Sequence, residues 1–415
     1  MNSIFPKINI SHYSDSVNRY FLLDAEILEN HGLLKMNKPI EDEDIYIKYL
    51  VSKHANIDLN NIIVVTRHFN TAFSKDFDLF VDIISKEVSN NPLTEIFFNH
   101  QSEGLQFAFI ENMNILFNAV KEKCNISYNK FHLVSGAVNS PRLIKIYKNL
   151  CAENSWHEFP LWTDNFWETS NVPNIKDTFE IDLETKTKRI LCYNGVPRIH
   201  RLASVLDMYR RNIIDKVYVS MNADEHVFDD GILIQMARML GANAKVYKEI
   251  WMNVKHHFPM KLTLADNIQN AYLINQDDLK LFKDTVASLV NETVFSSRDA
   301  HKYNFQDRLT HPCTFSTEKF WKTFQANHPF IVMSTPHYLK DIRHLGYRTF
   351  APFIDESYDD VEDDELRFKM VMDEVEKICN MSDEQVYKFQ QNVKPILKFN
   401  HALYKTKKPL FVRAL

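Results

Sequence analysis

Apolar residues recur along this chain as short runs set between longer stretches of helical period. The runs at 61–66 (Asn-Ile-Ile-Val-Val-Thr), 95–100 (Glu-Ile-Phe-Phe-Asn-His) and 131–135 (Phe-His-Leu-Val-Ser) predict three buried strands. Residues 75–88, 101–124 and 140–152 carry the period of amphipathic helices. Strands separated by helices of this length imply a parallel, helix-covered sheet. The stretch 154–188 breaks the pattern with Trp, Pro, Asn and a polar run, and predicts a domain boundary. The alternation then restarts with a strand at 189–193, a helix at 197–212, a strand at 216–221, a helix at 230–241 and a strand at 244–248. Residues 288–293 (Ser-Leu-Val-Asn-Glu-Thr) read as a further strand that ends in a polar cluster.

Residues 315–358 read as a loop carrying Thr317, Glu318 and Lys319, a helix, a buried strand at 329–333, a second helix and a short last strand. Thr335 as N-cap, Pro336 at the first helical position and Gly346 past the end delimit that second helix. Residues 360–364 form an acidic, solvated loop, and 382–405 a late amphipathic helix. The sequence holds no repeat and no low-complexity tract.

Composition narrows the class. A length of 415 residues suffices for two cores. Hydrophobic content of 45% and charged content of 25% are those of an ordinary globular protein. The scarcity of Gly (7) beside 30 Phe, with abundant Asn, Lys and Ile, suggests an AT-rich coding genome, as in many phages. No apolar run approaches the ~18 residues of a membrane span, and the first residues have no signal-peptide character. The expectation is a cytoplasmic protein without a membrane partner. Cysteines 124, 151, 192, 313 and 379 are scattered and read as reduced packing residues. A formal charge of −5 gives no global attraction to nucleic acid, though a local basic surface can still bind phosphates.

Candidate chemistry concentrates at predicted strand-to-helix turns. Acidic and basic side chains adjacent at a helix start suit a sugar nucleotide: amides and the positive end of the helix dipole face a pyrophosphate. Lys319 would neutralise phosphate and Glu318 accept ribose hydroxyls; the bland alternative is an exposed ion pair. In the turn 194–201, Asn194 and Gly195 allow tight entry to a helix. Arg198 and Arg201, three residues apart, would grip phosphate from one helix face, or simply be solvated. His200 points elsewhere and is the weaker choice. Glu292, at the carboxyl end of a parallel strand, would face a ligand crevice, or lie on an exposed loop. After the first-domain strand, Glu103 or His100 could serve as general base, or Glu103 could merely favour a helix start. Ser135, Gly136 and Asn139 end another strand, most simply as a turn. Arg142, Lys145 and Lys148 recur every three residues and, with the basic tail, would track a nucleic-acid backbone or solvate a helix. Asp42–Asp44, Asp224–His226 and His256–His257 lack metal-ligand spacing, so no metal is expected.

Residues 316–319 (Ser-Thr-Glu-Lys), 329–332 (Pro-Phe-Ile-Val), 345–350 (Leu-Gly-Tyr-Arg-Thr-Phe) and 354–359 (Ile-Asp-Glu-Ser-Tyr-Asp) resemble the donor-binding half of GT-B glycosyltransferases, especially a group found in tailed phages. A second match runs through 193–201 and 206–216; the first half matches loosely, through 134–139. The resemblance implies an α/β protein of two Rossmann-like domains facing a cleft. Residues 1–175 would bind the acceptor and 176–385 the nucleotide sugar, with a C-terminal helix at 386–415 crossing back to the first domain. It further implies a UDP-sugar as favoured donor, held by Asn194, Gly195, Arg198, Arg201, Glu292, Thr317, Glu318 and Lys319. The favoured acceptor is a hydroxymethylated base, or its attached sugar, in double-stranded phage DNA within an infected bacterium. Transfer to a surface glycan or small carbohydrate is the enzymatic alternative, and a catalytically inactive GT-B-like binding protein the other.

Overall fold

A computed structural model describes residues 11–14, 19–22, 62–66, 77–100, 115, 118–127, 130–135, 137–138, 155–158, 186–195, 197–223, 229–241, 243–262, 276–296 and 314–406. The chain divides into two units: Met1–Leu161 with Arg308–Cys313 and Pro409–Leu415, and Trp162–Asp307 with Thr314–Lys408.

In the first unit, β1 (Ser11–Ser14), β2 (Arg19–Leu22), β3 (Ile62–Thr66), β4 (Glu95–His100), β5 (Phe131–Ser135) and β6 (Ser155–Glu158) form one sheet in that order. β1 and β2 run antiparallel, and β3 to β6 are mutually parallel neighbours. Helix α1 (Phe77–Asn90) buries Val81, Ile84 and Val88, one stripe of its surface. The three predicted strands are present and pair parallel. The hairpin and β6, which falls within the stretch assigned to a boundary, were not expected. Rossmann-like order was expected too, yet the described strands follow one another in chain order without reversal. Hydrophobic runs report burial and not neighbours, so strand order escapes them.

The second unit holds a four-stranded parallel sheet made of β7 (Ile190–Cys192), β8 (Val217–Val219), β9 (Ala287–Asn291) and β10 (Phe330–Met333). Their order is β10-β9-β7-β8. Every residue of β7, β9 and β10 is buried. That is why β7 and β10 read as unbroken apolar runs, while β9 carries the polar Ser288 and Asn291 at buried positions: helices cover both faces. On one face lie α2 (Ile199–Arg210), α3 (Asp230–Leu240), α4 (Asn243–Val254) and α8 (Asp364–Cys379). The other carries α5 (Gln276–Asp284), α6 (Glu318–Gln325) and α9 (Asp383–Thr406), with α7 (Tyr338–His344) following β10. Alternation along β9 sets the two environments. Asn291 reaches Ser204 of α2, while Ser288 on the opposite face meets His328, just past α6.

Aromatic packing fixes α6. Phe320, Trp321 and Phe324 are all buried. Phe324 stacks on Tyr347 with ring centroids 4.4 Å apart, and Trp321 stacks on Tyr404 of α9. Each such pair adds about 1 kcal/mol beyond area burial.

Several sequence expectations are corrected here. Residues 244–248 lie in α4 and form no strand. Ala244, Tyr247 and Trp251 are buried while Val246 is exposed, a helical period that a five-residue window is too short to reveal. α7 begins at Tyr338 after His337 in the left-handed region (φ 66°), so Thr335 and Pro336 belong to the turn before it. Residues 350–356 form turns and no strand. Within its own unit α9 is held by Gln325, which donates to the Tyr404 hydroxyl at 2.8 Å, and by Asn400, which bonds both backbone groups of Arg348. The acidic segment is solvated as expected, with Asp360, Glu362 and Asp363 exposed, and Asp363 also caps α8 through the Leu366 amide.

His328 is buried between Ser288 Oγ (2.9 Å) and the Thr285 carbonyl (3.2 Å), and burial pushes its imidazole down to about 3. A folded-state value below that of the unfolded chain contributes stability that is present above the unfolded value near 6.5 and is lost as pH falls towards 3. The slope is about 1.4 kcal/mol per pH unit. Urea denaturation at pH 7 and pH 5 should therefore show His328→Gln losing roughly 2 kcal/mol less than the parent over that interval. Equal losses in the two proteins contradict a neutral buried histidine.

Candidate functional site

The strand order of the second unit reverses once. From β7 the chain passes through α2 to β8 on one side, whereas β9 lies on the other side of β7. The loops leaving β7 and β9 at their carboxyl ends thus diverge, and such a reversal is where parallel sheets open a ligand crevice.

Glu292, the first residue beyond β9, sits at this point with 0% exposure. Its carboxylate Oε1 accepts from the Thr317 amide at 2.9 Å and from the Tyr338 hydroxyl at 3.0 Å. Its backbone carbonyl accepts from His200 Nε2 at 2.8 Å and from Arg201 Nη2 at 3.2 Å. One residue therefore touches the beginnings of α2, α6 and α7. Burial, then the Arg201 charge, hold the His200 imidazole well below its usual range, so it is the neutral ring that donates. Burial and the neighbouring Glu292 keep the Tyr338 hydroxyl protonated.

The β7 turn is held by a second polar group. Asn194 is buried, and its backbone amide and carbonyl both meet Ser220 Oγ, at 3.1 and 3.3 Å. Its side-chain oxygen accepts from Asn291 Nδ2 at 2.9 Å, and the same nitrogen reaches Ser204 Oγ at 3.0 Å. Beside them burial pushes the Cys192 thiol up to about 12, so it is an inert packing group. A Cβ added to the exposed Gly195 would meet nothing within 4 Å. The backbone there borders open space.

Helix starts differ in what caps them. Asp229 accepts from the Ile232 amide at the start of α3, and Asp363 does the same for α8. α9 opens with a reciprocal Ser382–Gln385 pair. α7 is capped from a distance: the Asp359 carboxylate accepts from the Leu339 and Lys340 amides at 2.8 and 2.9 Å. α2 and α6 start at the crevice after Arg198 and Thr317, and neither N-cap residue makes a side-chain cap. Glu292 takes the amide of Thr317 itself, one residue ahead of the first turn. First-turn amides have no partner within their own helix and carry the positive end of its dipole. Two neighbouring helix ends without an acidic cap can receive an anion.

Behind the crevice, Arg367 of α8 is 1% exposed and joins three segments. It donates to the carbonyls of Phe295 (2.8 Å), Ser334 (3.1 Å) and Val361 (2.7 Å), and its guanidinium lies over the Phe295 ring.

The expected donor residues fall into distinct environments. Asn194, Gly195, Arg198, Arg201, Glu292, Thr317 and the backbone of Glu318 and Lys319 all belong to the carboxyl edge of this sheet. Arg198 is exposed and Arg201 is buried, so the two do not share a helix face open to solvent. Thr317 is buried as well, and Lys319 half-buried. The side chains of Glu318 and His100, and residues Glu103, Arg142, Lys145 and Lys148, lie outside the described residues. Sequence reasoning missed Tyr338, Ser220, Asn291 and Arg367. Ser220, like Glu292, sits directly beyond a strand, and that position was its available signal. Among the described residues no cluster of three or more metal-ligating side chains occurs. No helix among them is long and apolar enough to cross a membrane.

No protein-family model matches this chain, and no curated protein does. Among solved structures, it is similar to that of a glycosyltransferase from Rickettsia africae ESF-5. Identity is 12%, over 92% of this chain and 86% of that one, with a TM-score of 0.33. So remote a likeness carries no weight beside the geometry above.

Replacing Arg367 with Met leaves the buried carbonyls of Phe295 and Ser334, and the part-buried one of Val361, without this donor. Equilibrium denaturation should show a loss of about 3 kcal/mol. A loss below about 1 kcal/mol means that the guanidinium does not hold these loops together.

Proposed function

We propose that this chain is a glycosyltransferase and that its second unit binds the nucleotide-sugar donor at the carboxyl ends of β7 and β9. One observation carries the reading. Among the described residues, no acidic side chain bonds the first-turn amides of α2 and α6, the two helices that start at the strand-order reversal, while α3, α7 and α8 each have an aspartate on theirs. A carboxylate on those amides would compete with a phosphate. Its absence at two adjacent starts suits a diphosphate, which has two anionic centres. Gly195 lets such a ligand come close to the backbone, and the exposed Arg198 adds a positive charge. The sequence resemblance of 193–201 and 316–319 to glycosyltransferase donor sites supports a nucleotide sugar, a UDP-sugar by preference, over other diphosphates.

In the reaction the anomeric carbon–oxygen bond to the diphosphate breaks, and a bond forms from that carbon to an acceptor oxygen. The nucleoside diphosphate leaves with the bonding electrons, and the acceptor's proton passes to a base, for which Glu103 and then His100 are the candidates. Arg198 and Lys319 offset the charge that develops on the leaving group. The acceptor we favour is the hydroxyl of a hydroxymethylated base in duplex DNA, or of a sugar already attached to it. This rests on the likeness to phage enzymes and on the basic run Arg142, Lys145 and Lys148. Such a base would have to leave the stack to react.

The direct test is incubation with a panel of nucleotide sugars and duplex DNA containing cytosine or hydroxymethylcytosine, read by product mass. A gain of one sugar on modified DNA alone is expected. Transfer to a free glycan instead keeps the enzyme class and overturns the DNA acceptor. A second test isolates the donor site. Gly195→Ala should leave the melting temperature unchanged, since its methyl meets nothing, yet weaken UDP binding about tenfold in calorimetric titration. Unchanged affinity would place the ligand elsewhere.

A further inference from the structure

Glu292 has no exposed surface, and its hydrogen bonds run to protein groups on both its backbone and its side chain. We infer that Glu292 is a positioning residue, which couples the α2 and α6 helix starts into one anion-receiving site and does not itself touch the ligand. For its ligand this rests on the donor-site reading above, whereas the coupling itself stands on geometry alone.

The two ends of the residue do different work. The carboxylate fixes the α6 start through the Thr317 amide, and fixes α7 through the Tyr338 hydroxyl. The carbonyl fixes the α2 start through His200 and Arg201. His200 is locked in turn by stacking on Phe295, with ring centroids 5.6 Å apart. Because one rigid residue bears both sets of bonds, a displaced side chain shifts the carbonyl and so disturbs α2 as well as α6. A diphosphate needs both starts at a fixed separation, and small misplacements of such groups lose much of their effect. Length and the acceptor oxygen of this side chain are what matter for the coupling.

Two substitutions separate length from charge. Glu292→Gln keeps both the reach and an oxygen acceptor but removes the charge. Glu292→Asp keeps the charge and withdraws the carboxylate by one methylene. Hydrogen–deuterium exchange of the ligand-free proteins should show faster exchange in the Asp variant at both 198–202 and 317–321, with the Gln variant like the parent. Titration with UDP and with inorganic pyrophosphate should show both probes weakened by the same factor in the Asp variant, about tenfold, and nearly unchanged in the Gln variant. Pyrophosphate has no ribose, so a loss confined to UDP shows that Glu292 reads the nucleoside directly and overturns the inference. Faster exchange at 317–321 alone, or at neither segment, also overturns it. If the parent binds neither probe, the donor-site reading falls, and the exchange comparison still decides the coupling.

Discussion

A buried carboxylate at the end of a central strand organises the crevice of the second unit. Removing Glu292 from water is costly unless its carboxylate finds donors, and two that it finds belong to helix starts, the Thr317 amide of α6 and the Tyr338 hydroxyl of α7. The cost of burial is thereby turned into a geometric constraint. α6 and α7 cannot move independently of β9, and the carbonyl of the same residue extends the constraint to α2. Arg367 is the cationic counterpart on the other side of the loops, tying the segments after β9 and β10 to α8. Between them the two groups immobilise the strand ends while leaving the backbone at Gly195 open.

Electrostatics then distinguishes the helix starts along this edge. Asp359 is buried, and burial raises its carboxyl above the usual range, yet it is kept on the amides of α7. That helix end is closed to any other anion. α2 and α6 retain the positive ends of their dipoles towards the crevice, with Glu292 below them on the N-cap amide of α6. Among the described residues, then, α2 and α6 start without a carboxylate on their first-turn amides, beside the α7 start that Asp359 closes.

Much of this was legible in the sequence because it depends on local pattern. β7 and β10 are buried on both faces and appear as apolar runs. The residue just after each strand is polar for a reason that a reader can state. Glu292 was found that way, but its burial was not, since no local signal distinguishes a carboxylate facing solvent from one held by Thr317 and Tyr338, respectively 25 and 46 residues away. Asp359 capping α7 from 20 residues further on is the same kind of long-range bond. It explains why the Thr335–Pro336 signal misplaced that helix start. α4 was misread as a strand because five residues, Ala-Lys-Val-Tyr-Lys, are too few to show a helical period, and the burial of Trp251 seven positions beyond Ala244 reveals the stripe. Strand order, which creates the crevice, is a property of crossovers and leaves no trace in hydrophobic period.

The central claim is that a nucleotide diphosphate occupies the α2 and α6 starts together. Hydrogen–deuterium exchange of the intact chain, with and without saturating UDP, tests it most directly. The account predicts slowed exchange at 195–202 and at 317–321 in the same titration, with the α7 start at 338–341 unchanged. Protection at one helix start only, or at neither while UDP is bound, would contradict it.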